Sequence, residues 1–229
     1  MNLIIAFDLN GTLIDTNHVS HCFRVYTDSE SKQNSLNTKF WNHLFHKLQL
    51  SVTEHSYRPF EDLVKDSLNE IQCPDVYPLF LSEYINCPVY KDVPEFLAEL
   101  KSMNFHLAVL TNSSLQLMNK VKETSGLGEV IDYWISSEEV SSHKPSASPY
   151  ELLSRLTPRE ENESIVFISA HSWDCIGAAK AGLSTIHLSR DKPQMFDRRV
   201  ISISDLSLAL PIIRSMAMDV KNLLKAKIE

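Results

Sequence analysis

Two kinds of hydrophobic pattern alternate along this chain. Short, continuous apolar runs such as residues 3–7 are typical of strands that are buried on both faces of a parallel sheet. Longer stretches with apolar residues three and four positions apart are typical of amphipathic helices. The apolar runs predict six strands, at residues 3–7, 106–110, 133–135, 165–168, 185–188 and 200–203.

Beyond residue 91 the predicted strands alternate with helices. The helical patterns cover residues 94–103, 115–123, 146–156, 173–181 and 206–228, and Pro211 breaks or starts the last of them. Strands and helices that alternate at this spacing predict an α/β fold with a Rossmann-like, doubly wound parallel sheet.

Residues 16–90 interrupt this alternation, because they contain helical patterns only. Four helices are predicted there, at residues 18–26, 36–50, 60–71 and 76–85. The apolar stripes of the second and third are Phe40, Trp41, Leu44, Phe45 and Leu48, and then Phe60, Leu63, Val64, Leu68 and Ile71. We expect these stripes to form packing surfaces rather than substrate contacts. The pattern therefore predicts an α/β core with a helical insertion after its first strand.

Composition and charge narrow the choice of partners. The 229 residues are 43% hydrophobic and 22% charged, as in ordinary globular proteins, and the formal net charge is −7. A negative charge disfavours non-specific binding to nucleic acid or to an anionic membrane surface. No apolar run approaches the roughly 20 residues that span a bilayer. The first apolar run lacks the basic flank of a signal peptide, so none is expected.

Cysteine and histidine spacing bears on compartment and cofactors. The four cysteines have no C-x-x-C spacing and suit a reducing compartment, so we expect a cytoplasmic protein. The nine histidines are scattered, without an H-E-x-x-H or other metal-ligand spacing, and no glycine-rich nucleotide loop occurs. The sequence thus gives no basis for a metal or nucleotide cofactor. It leaves open whether the chain forms a homodimer.

Polar residues follow several predicted strands at the point where each strand ends. Asp8 follows the first strand, Gly11 allows a sharp turn there, and Thr12 adds a hydroxyl. Thr111 and Asn112 follow the second strand. Ligands of open α/β sheets bind just beyond the carboxyl ends of the strands. The same residue types also cap turns and helices, so each cluster alone has a structural interpretation as well.

Two further clusters supply a cation and a second carboxylate. Lys144 lies in the run Ser-His-Lys-Pro of residues 142–145, and Asp174 closes the polar run that begins at Ser169. Two carboxylates at adjacent strand ends repel each other, and a lysine between them offsets that repulsion. We therefore expect Lys144 between Asp8 and Asp174.

These motifs together resemble those of the haloacid dehalogenase superfamily. Residues 8–13 match its first motif, Asp-x-x-Gly-Thr-Leu, in which the first Asp is a nucleophile. Thr111, Lys144 and residues 169–182 are similar to its second, third and fourth motifs, and the helical insertion is similar to its small cap. The resemblance implies a core domain of residues 1–15 and 91–229 and a cap domain of residues 16–90.

Departures from the phosphatase pattern favour one branch of the superfamily. Phosphatases of the superfamily carry a second Asp at the position of Asn10, and those that depend on magnesium usually carry another Asp at the position of Ala170. In L-2-haloacid dehalogenases the fourth motif instead resembles Ser-Ser-Asn-x-Trp-Asp, to which Ser169, Trp173 and Asp174 correspond. His171 takes the place of the family Asn. The interval from Lys144 to Tyr150 also fits that branch.

The resemblance implies a metal-free hydrolysis of a small 2-haloacid to a 2-hydroxy acid. Asp8 would form an ester intermediate, and the catalytic set would be Asp8, Thr12, Lys144, Ser169 and Asp174. The implied substrate contacts are Leu9, Asn10, Lys32, Thr111, Asn112, Tyr150 and His171. Lys32 is included because the dehalogenases have an Arg early in the cap that helps to receive the leaving halide. No metal ligand is assigned.

Two other functions stay open at this level. One is a phosphatase that binds Mg²⁺ through Asp8, the Asn10 carbonyl and Asp174. The other is a catalytically silent relative that acts as a binding protein. The joint presence of Asp8, Thr12, Lys144 and Asp174 argues against the second.

Overall fold

A six-stranded parallel sheet forms the centre of the protein in a computed structural model, which describes residues 3–157, 164–189 and 200–225. Its strand order is β3-β2-β1-β4-β5-β6. The strands are β1 Ile4–Phe7, β2 His106–Thr111, β3 Tyr133–Ser136, β4 Ile165–Ser169, β5 Ser184–Leu188 and β6 Val200–Ile203. The predicted α/β class and all six predicted strands are confirmed.

Eight α-helices and four short 3-10 helices lie within the described residues. The α-helices are α1 Glu30–Thr53, α2 Phe60–Glu70, α3 Tyr77–Ile85, α4 Val93–Ser102, α5 Leu115–Thr124, α6 Ala147–Leu156, α7 Ser172–Lys180 and α8 Ala209–Lys225. The 3-10 helices are Thr16–Val25, Pro74–Val76, Ser137–Val140 and Leu206–Leu208. Pro211 lies in the first turn of α8, so it belongs to the start of that helix and does not break it. Residues 226–228 of the predicted helix lie outside the described residues.

Two predictions within the insertion were wrong in detail. The helix expected at residues 18–26 is a 3-10 helix, Thr16–Val25. The helix expected at 36–50 begins much earlier, at Glu30, and ends at Thr53. Residues 30–35 contain no apolar side chain, so hydrophobic spacing could not reveal the first turns of α1.

Each face of the sheet is covered by its own hydrophobic cluster. On β1, Ile5 and Phe7 belong to one cluster, and Ile4 and Ala6 belong to the other, because successive side chains point to opposite faces. The first cluster continues through α4, α5, α8 and the helices of the insertion, and the second contains residues of α6 and α7. β1 is therefore buried on both sides, as its continuous apolar run indicates.

The chain enters and leaves the insertion through two adjacent segments. The Asp15 amide donates to the Pro88 carbonyl at 2.8 Å, and the Tyr90 amide donates to the Leu13 carbonyl at 3.0 Å. The Tyr90 hydroxyl also donates to Asp15 Oδ1 at 3.2 Å. The predicted domain boundary falls beside this pairing, although the division into two domains stays a prediction. No α-helix of residues 3–157, 164–189 and 200–225 combines the length and apolar character needed to cross a membrane.

Candidate active site

The carboxyl ends of three neighbouring strands bring the polar clusters together. Phe7, the last residue of β1, is in register with Val109 of β2 and Ile168 of β4. The residues that follow, Asp8 and Ser169 among them, therefore lie at one edge of the sheet. This is the edge at which open α/β sheets bind their ligands.

Lys144 lies between the two carboxylates, as the sequence predicts. Its Nζ donates to Asp8 Oδ1 at 2.8 Å, to Asp174 Oδ2 at 2.7 Å and to the Leu110 carbonyl at 2.9 Å. These three bonds use every donor of an ammonium group. The side chain of Lys144 is only 1% exposed, and those of Asp8 and Asp174 are 5% and 0% exposed. The Lys144 ammonium therefore forms ion pairs with both buried carboxylates and has no unused donor.

The electrostatics of this trio keep Lys144 charged. Burial alone would lower the pKa of Lys144, but Asp174 and Asp8 together outweigh burial and raise it above its ordinary value. Burial raises the pKa of Asp174, and the charge of Asp8 adds to this effect while Lys144 opposes it. Loss of the lysine charge would therefore leave two buried carboxylates without compensation.

Two hydroxyl groups donate hydrogen bonds to the carboxylate of Asp174. Ser169 Oγ donates to Asp174 Oδ2 at 3.0 Å, and the Tyr150 hydroxyl donates to Asp174 Oδ1 at 2.5 Å. Tyr150 is fully buried and is not among the residues that line the active-site cavity, so its assignment as a substrate contact stays a prediction. Its position fixes the orientation of Asp174.

The backbone of Lys144 is fixed by the side chain of Asn112. Asn112 Oδ1 accepts from the Lys144 amide at 2.8 Å, and Asn112 Nδ2 donates to the Lys144 carbonyl at 3.1 Å. The end of β2 thereby sets the position of the lysine loop. Asn112 also reaches the active-site cavity, so it can contact a ligand while it holds this loop.

The loop after β1 is closed by bonds to the fourth motif. Thr12 Oγ1 donates to Asp8 Oδ2 at 3.0 Å and accepts from the Ala170 amide at 2.9 Å. His171 Nε2 donates to the Asn10 carbonyl at 2.9 Å and lies 3.8 Å from Asp8 Oδ2. Gly11 has a φ of 73°, a conformation that favours glycine, and this turn brings the loop beside His171.

A small cavity lies directly against Asp8. Its volume is about 20 Å³, which is room for about one water molecule. The lining residues are Asp8, Asn10, Trp41, Phe45, Leu48, Phe60, Asn112, Lys144, His171 and Trp173. The insertion thus supplies four apolar walls, and the core supplies the charged and polar residues together with Trp173.

The four apolar walls are the main group of site residues that sequence reasoning missed. Trp41, Phe45 and Leu48 belong to the stripe of α1 that was expected only to pack. The same stripe also contains Phe40 and Leu44, which are fully buried in the core. The apolar residues of α1 cover a wider arc of the helix than packing on one face requires. This excess width was the signal that some of them could line a cavity.

Three other assigned contacts do not reach the cavity through their side chains. Lys32 is exposed in the first turn of α1 and is not among the lining residues, so its contact with substrate stays a prediction. Thr111 is fully buried, with its hydroxyl 3.0 Å from Ser113 Oγ. The Leu9 side chain belongs to the hydrophobic core, so only its main chain is available for substrate.

The side chain of Asn10 is fixed by residues that the sequence did not point to. Asn10 Oδ1 accepts from the Tyr84 hydroxyl at 2.7 Å, and Asn10 Nδ2 donates to Ser113 Oγ at 3.2 Å. Tyr84 and Ser113 also contact each other through their hydroxyl groups. Asn10 therefore links the β1 loop to α3 and to the end of β2.

These bonds do not fit a magnesium site at Asp8, Asn10 and Asp174. Mg²⁺ needs octahedral oxygen ligands at short distances. The Asn10 side-chain oxygen accepts from Tyr84, and the Asn10 main-chain oxygen accepts from His171. Both oxygens of Asp174 also accept hydrogen bonds, and the Lys144 ammonium lies between Asp174 and Asp8. The donor set suits a buried ion-pair network better than a metal.

Comparisons with known proteins define the family. The family described as haloacid dehalogenase-like hydrolases matches residues 5–188. The chain belongs to this family of hydrolases, which confirms the resemblance inferred from the motifs.

Its relatives include several 2-haloacid dehalogenases. The chain is 28% identical over 193 residues to (S)-2-haloacid dehalogenase 2 of Pseudomonas sp. (strain CBS-3), covering 82% of this chain and 84% of that protein. It is 27% identical over 195 residues to (S)-2-haloacid dehalogenase 4A of Burkholderia cepacia, covering 81% and 82%. These relatives agree with the L-2-haloacid dehalogenase branch indicated by the fourth motif.

A solved structure supports the fold independently. The L-2-haloacid dehalogenase of Xanthobacter autotrophicus with chloropropionic acid covalently bound superposes with a TM-score of 0.81 at 18% identity. The match covers 94% of this chain and 100% of that one. The likeness establishes a shared fold across the core and the helical insertion.

Proposed function

We propose that the protein hydrolyses small 2-haloacids to 2-hydroxy acids through an ester on Asp8. The observation that carries this proposal is the position of the Asp8 carboxylate, at the wall of a small aromatic cavity and bonded to Lys144 and Thr12. A carboxylate placed this way can act as a nucleophile towards the electrophilic carbon of a carbon–halogen bond. The named activities of the relatives support the same reaction.

The first step is a displacement at the carbon that bears the halogen. A carboxylate oxygen of Asp8 forms a bond to this carbon, and the halide leaves with the electron pair of the carbon–halogen bond. Lys144 holds Asp8 in place and balances Asp174, while Asp174 stays fixed by Ser169 and Tyr150. An enclosed cavity removes water from the nucleophile before the reaction begins.

The second step is hydrolysis of the ester. Water attacks the carboxyl carbon of Asp8, the bond from this carbon to the ester oxygen breaks, and the hydroxy acid leaves. One proton is released in each turnover. Of the titratable residues that line the cavity, His171 has 21% of its side chain exposed and Asp8 only 5%. We assign proton transfer towards solvent to His171.

Substrate size and orientation follow from the cavity walls. A space of about 20 Å³ favours short acids, because longer chains would require the walls to move. Asn112 and the main-chain groups of Leu9 and Asn10 are the contacts proposed for the substrate carboxylate. Trp41 replaces Lys32 as the donor to the halide, because it lines the cavity and its Nε1 is buried without a hydrogen-bond partner among the described residues.

We propose that the helical insertion, residues 16–90, acts as the cap over this site. Trp41, Phe45, Leu48 and Phe60 all come from it, and they form the apolar walls of the cavity. Opening of the cap would admit the acid, and closure would exclude water.

A halide-release assay tests the proposed reaction. Monochloroacetate, the two enantiomers of 2-chloropropionate and a generic aryl phosphate are compared in EDTA and in Mg²⁺. We expect halide release from a chloro acid at equal rates in both conditions. Asp8→Asn should abolish release, and Asp75→Asn, an exposed change in the 3-10 helix Pro74–Val76 outside the cavity lining, should leave it unchanged. Phosphate release that depends strictly on Mg²⁺, without halide release, would contradict the proposal.

A further inference from the structure

A group of potential metal ligands lies in the insertion, apart from the residues that line the active-site cavity. His18, His21 and Glu83 each offer one ligand atom, and these three atoms all lie within 4.8 Å of one another. His18 Nε2 is 3.0 Å from Glu83 Oε2, and His21 Nδ1 is 3.7 Å from the same oxygen. The His18 and His21 rings are 4.5 Å apart between centroids.

The local backbone explains why the two imidazoles point the same way. His18 and His21 lie in the 3-10 helix Thr16–Val25, in which side chains three positions apart are aligned above one another. Glu83 comes from α3, which packs against this 3-10 helix. The helix geometry and the packing together preassemble the group.

We propose that His18, His21 and Glu83 form a binding site for a Zn²⁺-like divalent metal ion. Two imidazoles and one carboxylate make a ligand set that zinc sites use when a fourth position is left for water. Ligand bonds of about 2.1 Å in a tetrahedron place the ligand atoms about 3.4 Å apart, and the observed 3.0 and 3.7 Å lie on either side of that spacing. The third distance, between the His18 and His21 ligand atoms, is within 4.8 Å, so binding would require the two imidazoles to close around the ion.

Access and charge also suit a cation. The side chains of His18, His21 and Glu83 are 27%, 35% and 27% exposed, so an ion can enter from solvent and keep a water ligand. The charged groups near His21 are Arg24 on one side of the balance and Glu83 and Glu30 on the other, so two negative charges face one positive charge. The two glutamates offset the repulsion between Arg24 and a bound ion.

A bound ion would connect the beginning of the insertion to its end. The 3-10 helix is the first helical element after the entry segment at Asp15, and α3 is the last one before the exit segment at Pro88. Because the ligands are assembled only in the folded chain, binding should stabilise that state in proportion to the free metal concentration. The site requires no assumption about the reaction at Asp8.

Calorimetry with Zn²⁺ on protein that has been stripped of metal tests the site directly. We expect one saturable site per chain. His21→Ala and Glu83→Gln should each weaken binding by at least about tenfold. In known sites, even residues that only hydrogen-bond to the metal ligands contribute that much to the affinity. His43→Ala is the matched control, because His43 pairs with Glu70 on the surface of the insertion but belongs to no such group among the described residues.

A second readout identifies the ligand atoms and guards against a variant that fails to fold. In ¹⁵N spectra of the histidine rings, Zn²⁺ should shift His18 Nε2 and His21 Nδ1, and the melting temperature of the wild type should rise with Zn²⁺. Glu83→Gln keeps the side-chain shape and should fold normally. The proposal is overturned if the wild type shows no saturable binding, if binding survives both variants, or if His43→Ala weakens it equally.

Discussion

At the scale of single residues, the proposed role of Asp8 depends on the balance of charge around it. Two carboxylates and one ammonium are buried together, and the ammonium reaches both carboxylates with bonds below 3 Å. Removal of one member of a buried ion network leaves the other charges without a partner. This costs more free energy than the intact network contributes to stability. Loss of Lys144 should therefore disturb more of the site than loss of either carboxylate, because it affects both of them.

Lys144→Ala should lower turnover by on the order of a hundredfold or more, by analogy with the loss of one charge-stabilising donor. The acid limb of its pH–rate profile should move to higher pH, because Lys144 would no longer oppose the raised pKa of Asp174. Steady-state kinetics from pH 5 to 9 measure both effects. Lys120→Ala, an exposed change on α5, is the control. Near-normal turnover in Lys144→Ala would contradict the assigned role.

Asp174→Ala should be severe as well, and the double variant should be little worse than either single variant. Residues that act as one unit give losses that do not add. A double-mutant cycle on kcat/KM measures this coupling. Fully additive losses would show that Lys144 and Asp174 act independently.

Trp41→Phe tests the proposed halide donor. The variant keeps an aromatic wall but removes the indole N–H, so the cavity should stay apolar while the leaving halide loses one hydrogen bond. We expect kcat to fall by roughly three- to tenfold, the value of one ordinary hydrogen bond. Trp134→Phe is the control, because the Trp134 Nε1 is also buried without a partner among the described residues, but Trp134 is not one of the cavity residues. Equal losses in both variants would contradict the assignment.

At the scale of secondary structure elements, hydrophobic patterns predicted the sheet well and the insertion less well. Strands such as β1 are continuous apolar runs because both faces are buried, so their pattern needs no knowledge of their neighbours. The N-terminal turns of α1 carry polar residues, two of which, Gln33 and Asn37, are nevertheless buried. A pattern of apolar residues cannot reveal polar burial that depends on tertiary contacts.

The same contrast applies to the site residues. Asp8, Lys144, Ser169 and Asp174 lie at strand ends or in recognised motifs, so the sequence could predict that they meet. Trp41 and Tyr84 reach the site from helices of the insertion, and their contribution depends on how those helices pack on the core. The histidine group was missed for a similar reason, since Glu83 is distant in sequence from His18 and His21.

Gly177→Ala tests how closely α7 must pack behind Asp174. A Cβ at Gly177 would lie 2.6 Å from Pro145 Cβ and 2.7 Å from the Tyr150 hydroxyl. We expect a loss of about 1–3 kcal/mol in the free energy of unfolding, together with a fall in kcat, because Tyr150 and the lysine loop must shift. Urea denaturation and steady-state kinetics measure the two effects.

Gly182→Ala is the matched control for this prediction. Its Cβ would meet nothing within 4 Å, although its φ of 88° strains any other residue. The control should therefore lose stability and keep its kcat. A Gly177→Ala protein with unchanged kcat would show that Tyr150 tolerates displacement.

At the scale of the whole molecule, the insertion is held against the core by a few polar contacts around the site. Glu61 of α2 contacts Ser114 at the N-terminus of α5. His143 Nε2, beside Lys144, donates to the Arg58 carbonyl at 2.9 Å, and Tyr57 packs against the His143 ring. These contacts join the insertion to the start of α5 and to the loop that carries Lys144.

His143 should make stability depend on pH. Burial lowers the pKa of His143 from its ordinary value of 6.5, while the bond to Arg58 and the charge of Glu138 oppose this effect. At pH values between 6.5 and the lower pKa of His143 in the folded protein, this histidine is protonated to a greater extent in the unfolded chain than in the folded one. Stability is therefore full above about pH 6.5 and decreases as the pH falls, by at most about 1.4 kcal/mol per pH unit.

Urea denaturation between pH 7.5 and 5 measures this dependence. In His143→Gln the fall in stability towards acid pH should be shallower, because the buried imidazole is gone. His46→Gln on α1, an exposed histidine outside the lining of the active-site cavity, is the control and should keep the slope of the wild type. An unchanged slope in His143→Gln would contradict the prediction.

The most direct test of the central claim is a single-turnover reaction in water labelled with ¹⁸O. Enzyme in excess converts one equivalent of a 2-haloacid, and mass spectrometry then locates the label. An ester on Asp8 predicts ¹⁸O in the Asp8 carboxylate and an unlabelled hydroxyl in the first product. Label in the product hydroxyl, with Asp8 unlabelled, would contradict the account, because water would then have attacked the substrate directly.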